Sequence, residues 1–182
     1  MSRIEIIPEE RFVTAAWSGG TTTELFIFPE GSSYQERRFG FRISSALVEL
    51  ESSVFTRLEG VKRYLTPLGE GFLLNVNGRE VPLKNGEVLE FSGEDDVVCF
   101  GSGRDLNLML KGYEGSMKLV SGLFRVYDSA HAFAFAPSGA ELCSGDETAS
   151  LPAGGFARLS VGEYLARGRI ALFLVGGVTN EE

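Results

Sequence analysis

The chain has 182 residues, 43% of them apolar and 23% charged, and carries a formal net charge of −8. That balance supplies material for a packed core and excludes an intrinsically disordered chain. A surface of that sign repels phosphate backbones, and the densest basic segment is only Glu36-Arg37-Arg38, so nucleic acid is not an expected partner.

No window reaches the ~18 apolar residues of a membrane helix. The first residues, Met1-Ser2-Arg3-Ile4-Glu5-Ile6-Ile7-Pro8, lack the apolar stretch of a signal peptide. Cys99 and Cys143 are the only cysteines, too few for a disulfide framework and wrongly spaced for zinc. A cytoplasmic location with no membrane partner is therefore expected.

Short apolar or alternating runs separated by Gly, Asn and Ser recur throughout, which is the pattern of strands and turns. Strands are predicted at 4–7, 24–28, 39–47, 61–68, 72–76, 80–83, 88–91 and 97–100, then at 106–110, 117–120, 123–127, 132–135, 140–143, 156–159 and 169–175. No run has a helical stripe of useful length. Asn77-Gly78 is a strong two-residue hairpin signal, because both positions tolerate positive φ. Pro82 donates no ladder hydrogen bond, which places 80–83 at a sheet edge or at a bulge. Hairpin, tight turn and strand in this order are the wiring of a small antiparallel barrel or jelly roll.

One pattern occurs twice: Leu83-Lys84-Asn85-Gly86-Glu87-Val88-Leu89-Glu90-Phe91, and Leu151-Pro152-Ala153-Gly154-Gly155-Phe156-Ala157-Arg158-Leu159. An apolar strand follows each copy. The pair suggests a duplicated unit, with residues 1–112 as the first and 113–182 as a second, smaller unit packed on it.

The segment from Tyr64 to Phe91 resembles the second half of a cupin motif. More specifically, the chain resembles the HutD/Ves family of double cupins. The resemblance is carried by Trp17-Ser18-Gly19-Gly20-Thr21-Thr22-Thr23-Glu24-Leu25, by Phe41-Arg42-Ile43-Ser44-Ser45-Ala46, by Phe55-Thr56-Arg57-Leu58-Glu59-Gly60-Val61-Lys62-Arg63 and by Asp105-Leu106-Asn107-Leu108-Met109. The family's Trp segment usually carries Lys-Asn and an extra Gly before its threonines; here that loop is shorter and holds Ser18. The resemblance implies a mostly β, double cupin-like (bicupin) architecture. It also implies an accessory or regulatory role in histidine utilisation.

Metal-binding cupins use several histidines and a carboxylate. His131 is the only histidine of this chain, so no tightly bound transition metal and no cofactor are expected. His131 itself reads as a strand-end or surface residue. Cys99, in the run Val97-Val98-Cys99-Phe100, reads as a buried and unreactive thiol.

Polar residues inside apolar strands are the candidates for binding. The period of two puts Arg42 and Ser44 on one face, opposite Phe41 and Ile43. Arg63 shares a face with Val61 and Leu65, where a guanidinium is costly unless partnered. Asn107 and Met109 share a face, as do Thr22, Glu24 and Phe26. Structural readings stand beside these: Arg42 facing solvent, Arg63 paired with Glu24, Asn107 satisfying a backbone group, Trp17 in ordinary core. In the functional reading Trp17 is an apolar wall, and Gly19 and Gly20 let backbone amides approach a ligand.

Together, Trp17, Thr22, Glu24, Arg42, Ser44, Arg63, Asn107 and Met109 suit a small anionic metabolite, because arginine holds a carboxylate with two parallel hydrogen bonds. The expected function is non-catalytic binding of a small carboxylate, with a homodimer as the assembly considered. The alternative is a metal-independent enzyme with Glu24 as general base.

Overall fold

The computed structural model describes residues 1–128 and 131–178. Among these the chain is built from strands, with a single short 3-10 turn at Glu9–Arg11. The strands are β1 (Ile4–Ile7), β2 (Val13–Trp17), β3 (Gly20–Phe28), β4 (Phe41–Val48), β5 (Ser52–Val54), β6 (Val61–Pro67), β7 (Phe72–Val76), β8 (Arg79–Leu83) and β9 (Leu89–Ser92). They continue as β10 (Val97–Phe100), β11 (Gly103–Lys111), β12 (Tyr113–Val126), β13 (His131–Ala136), β14 (Ala140–Ser144), β15 (Glu147–Leu151), β16 (Gly155–Leu159) and β17 (Gly162–Val178). Every ladder between them is antiparallel. Among the described residues no helix is long and apolar enough to cross a membrane.

The contacts divide the chain into two units. Residues 12–112 form one from two sheets, ordered β2-β3-β4-β11-β6-β9 and β5-β10-β7-β8. Leu65 and Phe91 of the first sheet pack with Phe72, Leu74, Leu83, Val97 and Cys99 of the second. Each such side chain, fully buried, contributes roughly 1.5–3 kcal/mol. Asn77 and Gly78 both have positive φ, at 52° and 85°, as the hairpin between β7 and β8 requires. β8 is an edge strand, so Pro82 breaks no ladder.

The other unit holds residues 1–11 and 113–182. Its described strands form one sheet, β1-β16-β13-β17-β14-β15, with β12 also on β17. Ala134, Leu142, Ala157, Ile170 and their neighbours form its core. The two strands expected at 117–120 and 123–127 are one strand, β12, with a register shift between Val120 and Gly122. Between the flanking pairs β12 has one residue and β17 has three, so the irregularity interrupts the ladder without ending the strand.

The first eleven residues depart from the boundary drawn in the sequence. Ile4 pairs with Leu159 and Ile7 with Phe156, so β1 extends the sheet of the later residues. Glu147 secures it, accepting hydrogen bonds from Ser2 Oγ, from Arg3 N at 2.7 Å and from Ile4 N at 3.2 Å. The Tyr164 hydroxyl lies 3.1 Å from the Arg3 carbonyl and 2.6 Å from that of Ser160. Strand pairing over such a separation leaves no local mark in the sequence.

The repeated Leu-x-x-Gly pattern has the same local geometry in each unit. Glu87 N donates to Lys84 O at 3.0 Å and Gly155 N donates to Pro152 O at 2.8 Å, at equivalent positions of the two copies. Gly86 and Gly154, third in each turn, have φ of 89° and 80°. That is the type II turn, whose third residue must be left-handed and so favours glycine.

Candidate functional site

The ladder of the six-stranded sheet sets side chains in rows. Arg42 on β4 pairs with Met109 on β11, Met109 with Arg63 on β6, and Arg63 with Phe91 on β9. The next row runs Glu24, Ser44, Asn107, Leu65. The third runs Thr22, Ala46, Asp105, Pro67. Directly paired residues project to the same face, so three adjacent rows gather polar and charged groups on one side. Phe41, Ile43, Leu106, Leu108 and Leu110 alternate with them and are fully buried.

These rows line a cavity of about 520 Å³ within the 12–112 unit, inside the range of ~300–1,000 Å³ common for small-molecule sites. Seven of the eight residues picked from the sequence line it: Trp17, Thr22, Arg42, Ser44, Arg63, Asn107 and Met109. Glu24 does not; at the end of its row, its Oε2 accepts from Arg42 Nε at 2.7 Å.

Several readings are corrected. Arg42 does not face solvent: it is buried, and its guanidinium lies 4.1 Å from the centre of the Tyr34 ring. Arg63 does not pair with Glu24, which Arg42 occupies. Its Nη2 donates to Asn107 Oδ1 at 3.2 Å, and its guanidinium lies against both Phe55 and Phe91, 5.0 and 5.1 Å from the centres of two rings that themselves meet at 6.2 Å. Asn107 satisfies side chains rather than a backbone group, since its Nδ2 donates to Asp105 Oδ1 at 2.6 Å. Glu24 and Phe26 do not share a face. A bulge at Leu25 shifts the register, so Glu24 pairs with Ser44 while Phe26 pairs with Ile43 and stacks on Phe41 on the opposite side.

The glycines after Trp17 make room for packing and are not among the lining residues. A Cβ on Gly19 would lie 2.0 Å from the Trp17 indole, and one on Gly20 would lie 1.9 Å from the Leu47 carbonyl oxygen. Trp17 is partly exposed rather than core, 41% accessible, and folds over its own hairpin.

Asp105, Tyr34, Ser53 and Phe55 also line the cavity and escaped the sequence reading. Asp105 lies two residues before Asn107 and four before Met109, so the alternation used for those two places it on the same face. Tyr34, Ser53 and Phe55 come from a loop, a three-residue strand and the segment after it, where no periodicity operates.

The electrostatics follow from burial. Desolvation pulls the Arg63 guanidinium down to about 10, against the influence of Tyr34 and Asp105. Desolvation pushes the Asp105 carboxyl up to about 7, partly opposed by Arg63, the Ala46 amide and Asn107. The Arg63 Nε and the Ser53 hydroxyl are buried with no hydrogen-bond partner. Cys99 is a buried thiol pushed up to about 12, first by burial and then by the charge of Asp105. His131 begins β13 and is half-buried; burial and then Arg158 hold it below its ordinary value. Among the described residues no three of His, Cys, Asp and Glu cluster as a metal site would require.

The HutD family model matches residues 9–163. PA5104 from Pseudomonas aeruginosa PAO1, a conserved protein of unknown function, superposes with a TM-score of 0.80 at 22% identity, covering 97% of this chain and 100% of that one. HutD from Pseudomonas fluorescens SBW25, in a formate condition, gives 0.78 at 24% identity, covering 95% and 98%. A cupin 2 conserved barrel domain protein from Leptotrichia buccalis gives 0.59 at 10% identity, covering 96% of each chain. At these identities the likeness establishes the double cupin-like fold. No curated protein matches the chain. With the model spanning most of its length, this chain belongs to the HutD family, which is associated with histidine utilisation.

Proposed function

We propose that the 12–112 unit binds a small carboxylate metabolite, and that the protein serves histidine utilisation as an accessory or regulatory binder in the cytoplasm. The carrying observation is the Arg63 guanidinium: it lines the cavity, is buried, and keeps an Nε donor with no hydrogen-bond partner. Leaving such a donor unpaired costs roughly 1–3 kcal/mol or more, a cost that an incoming carboxylate oxygen removes. The partnerless hydroxyl of Ser53, on β5 of the other sheet, offers a further donor to the same cavity. Trp17, Val54, Phe55 and Met109 supply apolar surface for the remainder of the ligand.

The alternative of an enzyme with Glu24 as general base is weakened by the geometry. Glu24 is held by Arg42 and is not among the residues lining the cavity. Binding to the folded state raises stability by mass action. A thermal-shift screen of histidine-pathway intermediates, with the matching amides as neutral controls, is therefore the test. Stabilisation by acids and not by their amides is expected; equal effects from both, or from neither, would remove this reading.

A further inference from the structure

The charges around the cavity close on themselves in two sets. Arg42 is matched by Glu24 in direct contact. Arg63 is matched by Asp105 only through Asn107, whose Oδ1 accepts from Arg63 and whose Nδ2 donates to Asp105. Two cations and two carboxylates leave no net charge. A ligand carboxylate arriving at Arg63 adds one negative charge to a wall where Arg63, Asn107 and Asp105 are all buried. In such a place an unmatched charge is expensive, and the least costly remedy is to neutralise a carboxylate already present.

We propose that Asp105 takes up one proton from solvent as a carboxylate binds at Arg63, so that the anion and the proton enter the site together. This rests on the reading of the cavity as a carboxylate site. The proton forms an O–H bond on Asp105, and no other bond is made or broken. Asn107 carries the change. Once Asp105 becomes a donor, the Asn107 amide turns over, so that its Oδ1 accepts from Asp105. Arg63 Nη2 thereby loses its protein acceptor and joins Nε in holding the ligand, while Asn107 Nδ2 turns toward the ligand as a further donor.

The surroundings single out Asp105. Its carboxyl already stands at about 7, so one proton is easily acquired near neutral pH. Cys99 on β10, which feels its charge, is held protonated well above that range. Glu24 on β3 is in contact with Arg42 on β4. Arg63 on β6 remains a cation at neutral pH, and Tyr34 reaches Arg63 from the loop before β4. Asp105 is thus the group whose protonation sets the charge of ligand that the site accepts.

The test is calorimetric titration of the full chain with benzoate, which stays ionised throughout, from about pH 6 to about pH 9, in buffers of different ionisation enthalpy. Above about pH 7, affinity should fall by up to about tenfold per pH unit, with about one proton taken up per benzoate. In Asp105→Asn the slope and the uptake should vanish, and binding near pH 9 should be tighter than in the parent. Benzoate binding with no slope and no uptake, or a slope retained by the variant, overturns the proposal and leaves the carboxylate reading standing. No benzoate binding at any pH removes both. Uptake is measured on the parent protein, so the outcome holds even if the variant does not fold.

Discussion

Arg63 gives Asn107 one hydrogen bond of 3.2 Å, yet the buried Nε of the same guanidinium has no partner. Arg63→Ala should therefore weaken binding of a confirmed carboxylate by roughly ten- to a hundred-fold, the equivalent of ~1.5–3 kcal/mol for a charge-assisted hydrogen bond. The guanidinium also packs against Phe55 and Phe91, so the variant should be folded but less stable. Titration and circular dichroism read the two effects separately. Unchanged affinity would make Arg63 a structural residue.

Glu24 and Arg42 meet at 2.7 Å with side chains only 19% and 9% accessible. Glu24→Ala strands a buried guanidinium and should cost about 3 kcal/mol, the lower end for breaking such a pair. Glu24→Gln keeps an acceptor and should cost less. Urea denaturation of the two variants measures the difference. Equal stability in both would mean that the pair carries no weight.

Trp17 is the only tryptophan, and its ring occupies the space that a Cβ on Gly19 would need. Gly19→Ala should push the indole away from its hairpin and shift its fluorescence to the red. Because Trp17 lines the cavity, a bound ligand should change the emission of the parent protein and change that of the variant less. An unaltered spectrum in Gly19→Ala would contradict the packing.

Asp105 makes stability depend on pH in a defined direction. Its carboxyl is raised in the folded protein to about 7 from 3.8, so between those values the folded state holds a proton that the unfolded chain has released. Its contribution to stability therefore falls as pH rises from about 4 to about 7 and is level above that. In Asp105→Asn this fall should be absent, which denaturant titrations at several pH values would reveal. A fall of the same size in the variant would assign the effect to other groups.

Much of the cavity wall follows from alternation along single strands. Arg42 and Ser44, or Asn107 and Met109, needed only the period of two, and Asp105 was within reach of the same rule. Alternation fails where the backbone inserts a residue: the bulge at Leu25 reverses the face of Phe26 relative to Glu24. It also says nothing about which strands become neighbours, so Glu24 meets Arg42 and not Arg63, the partner considered for it in the structural reading. β2 and β5 were not expected at all. β2 is a run of five exposed residues and β5 is three residues long, so neither has the apolar alternation that marks a strand.

The pairing of β1 with β16 has a consequence for synthesis of the chain. Ile4 leaves the ribosome long before its partner Leu159, and at about 5–20 residues per second the wait is roughly 8–30 s. Strands β2 to β11 meet all their ladder partners within residues 12–112 and can pair while β1 still waits. Although made before every other described strand, Ile4–Ile7 are thus among the last to find their place, and until then the apolar side chains of Ile4 and Ile7 remain open to chaperones and to neighbouring nascent chains.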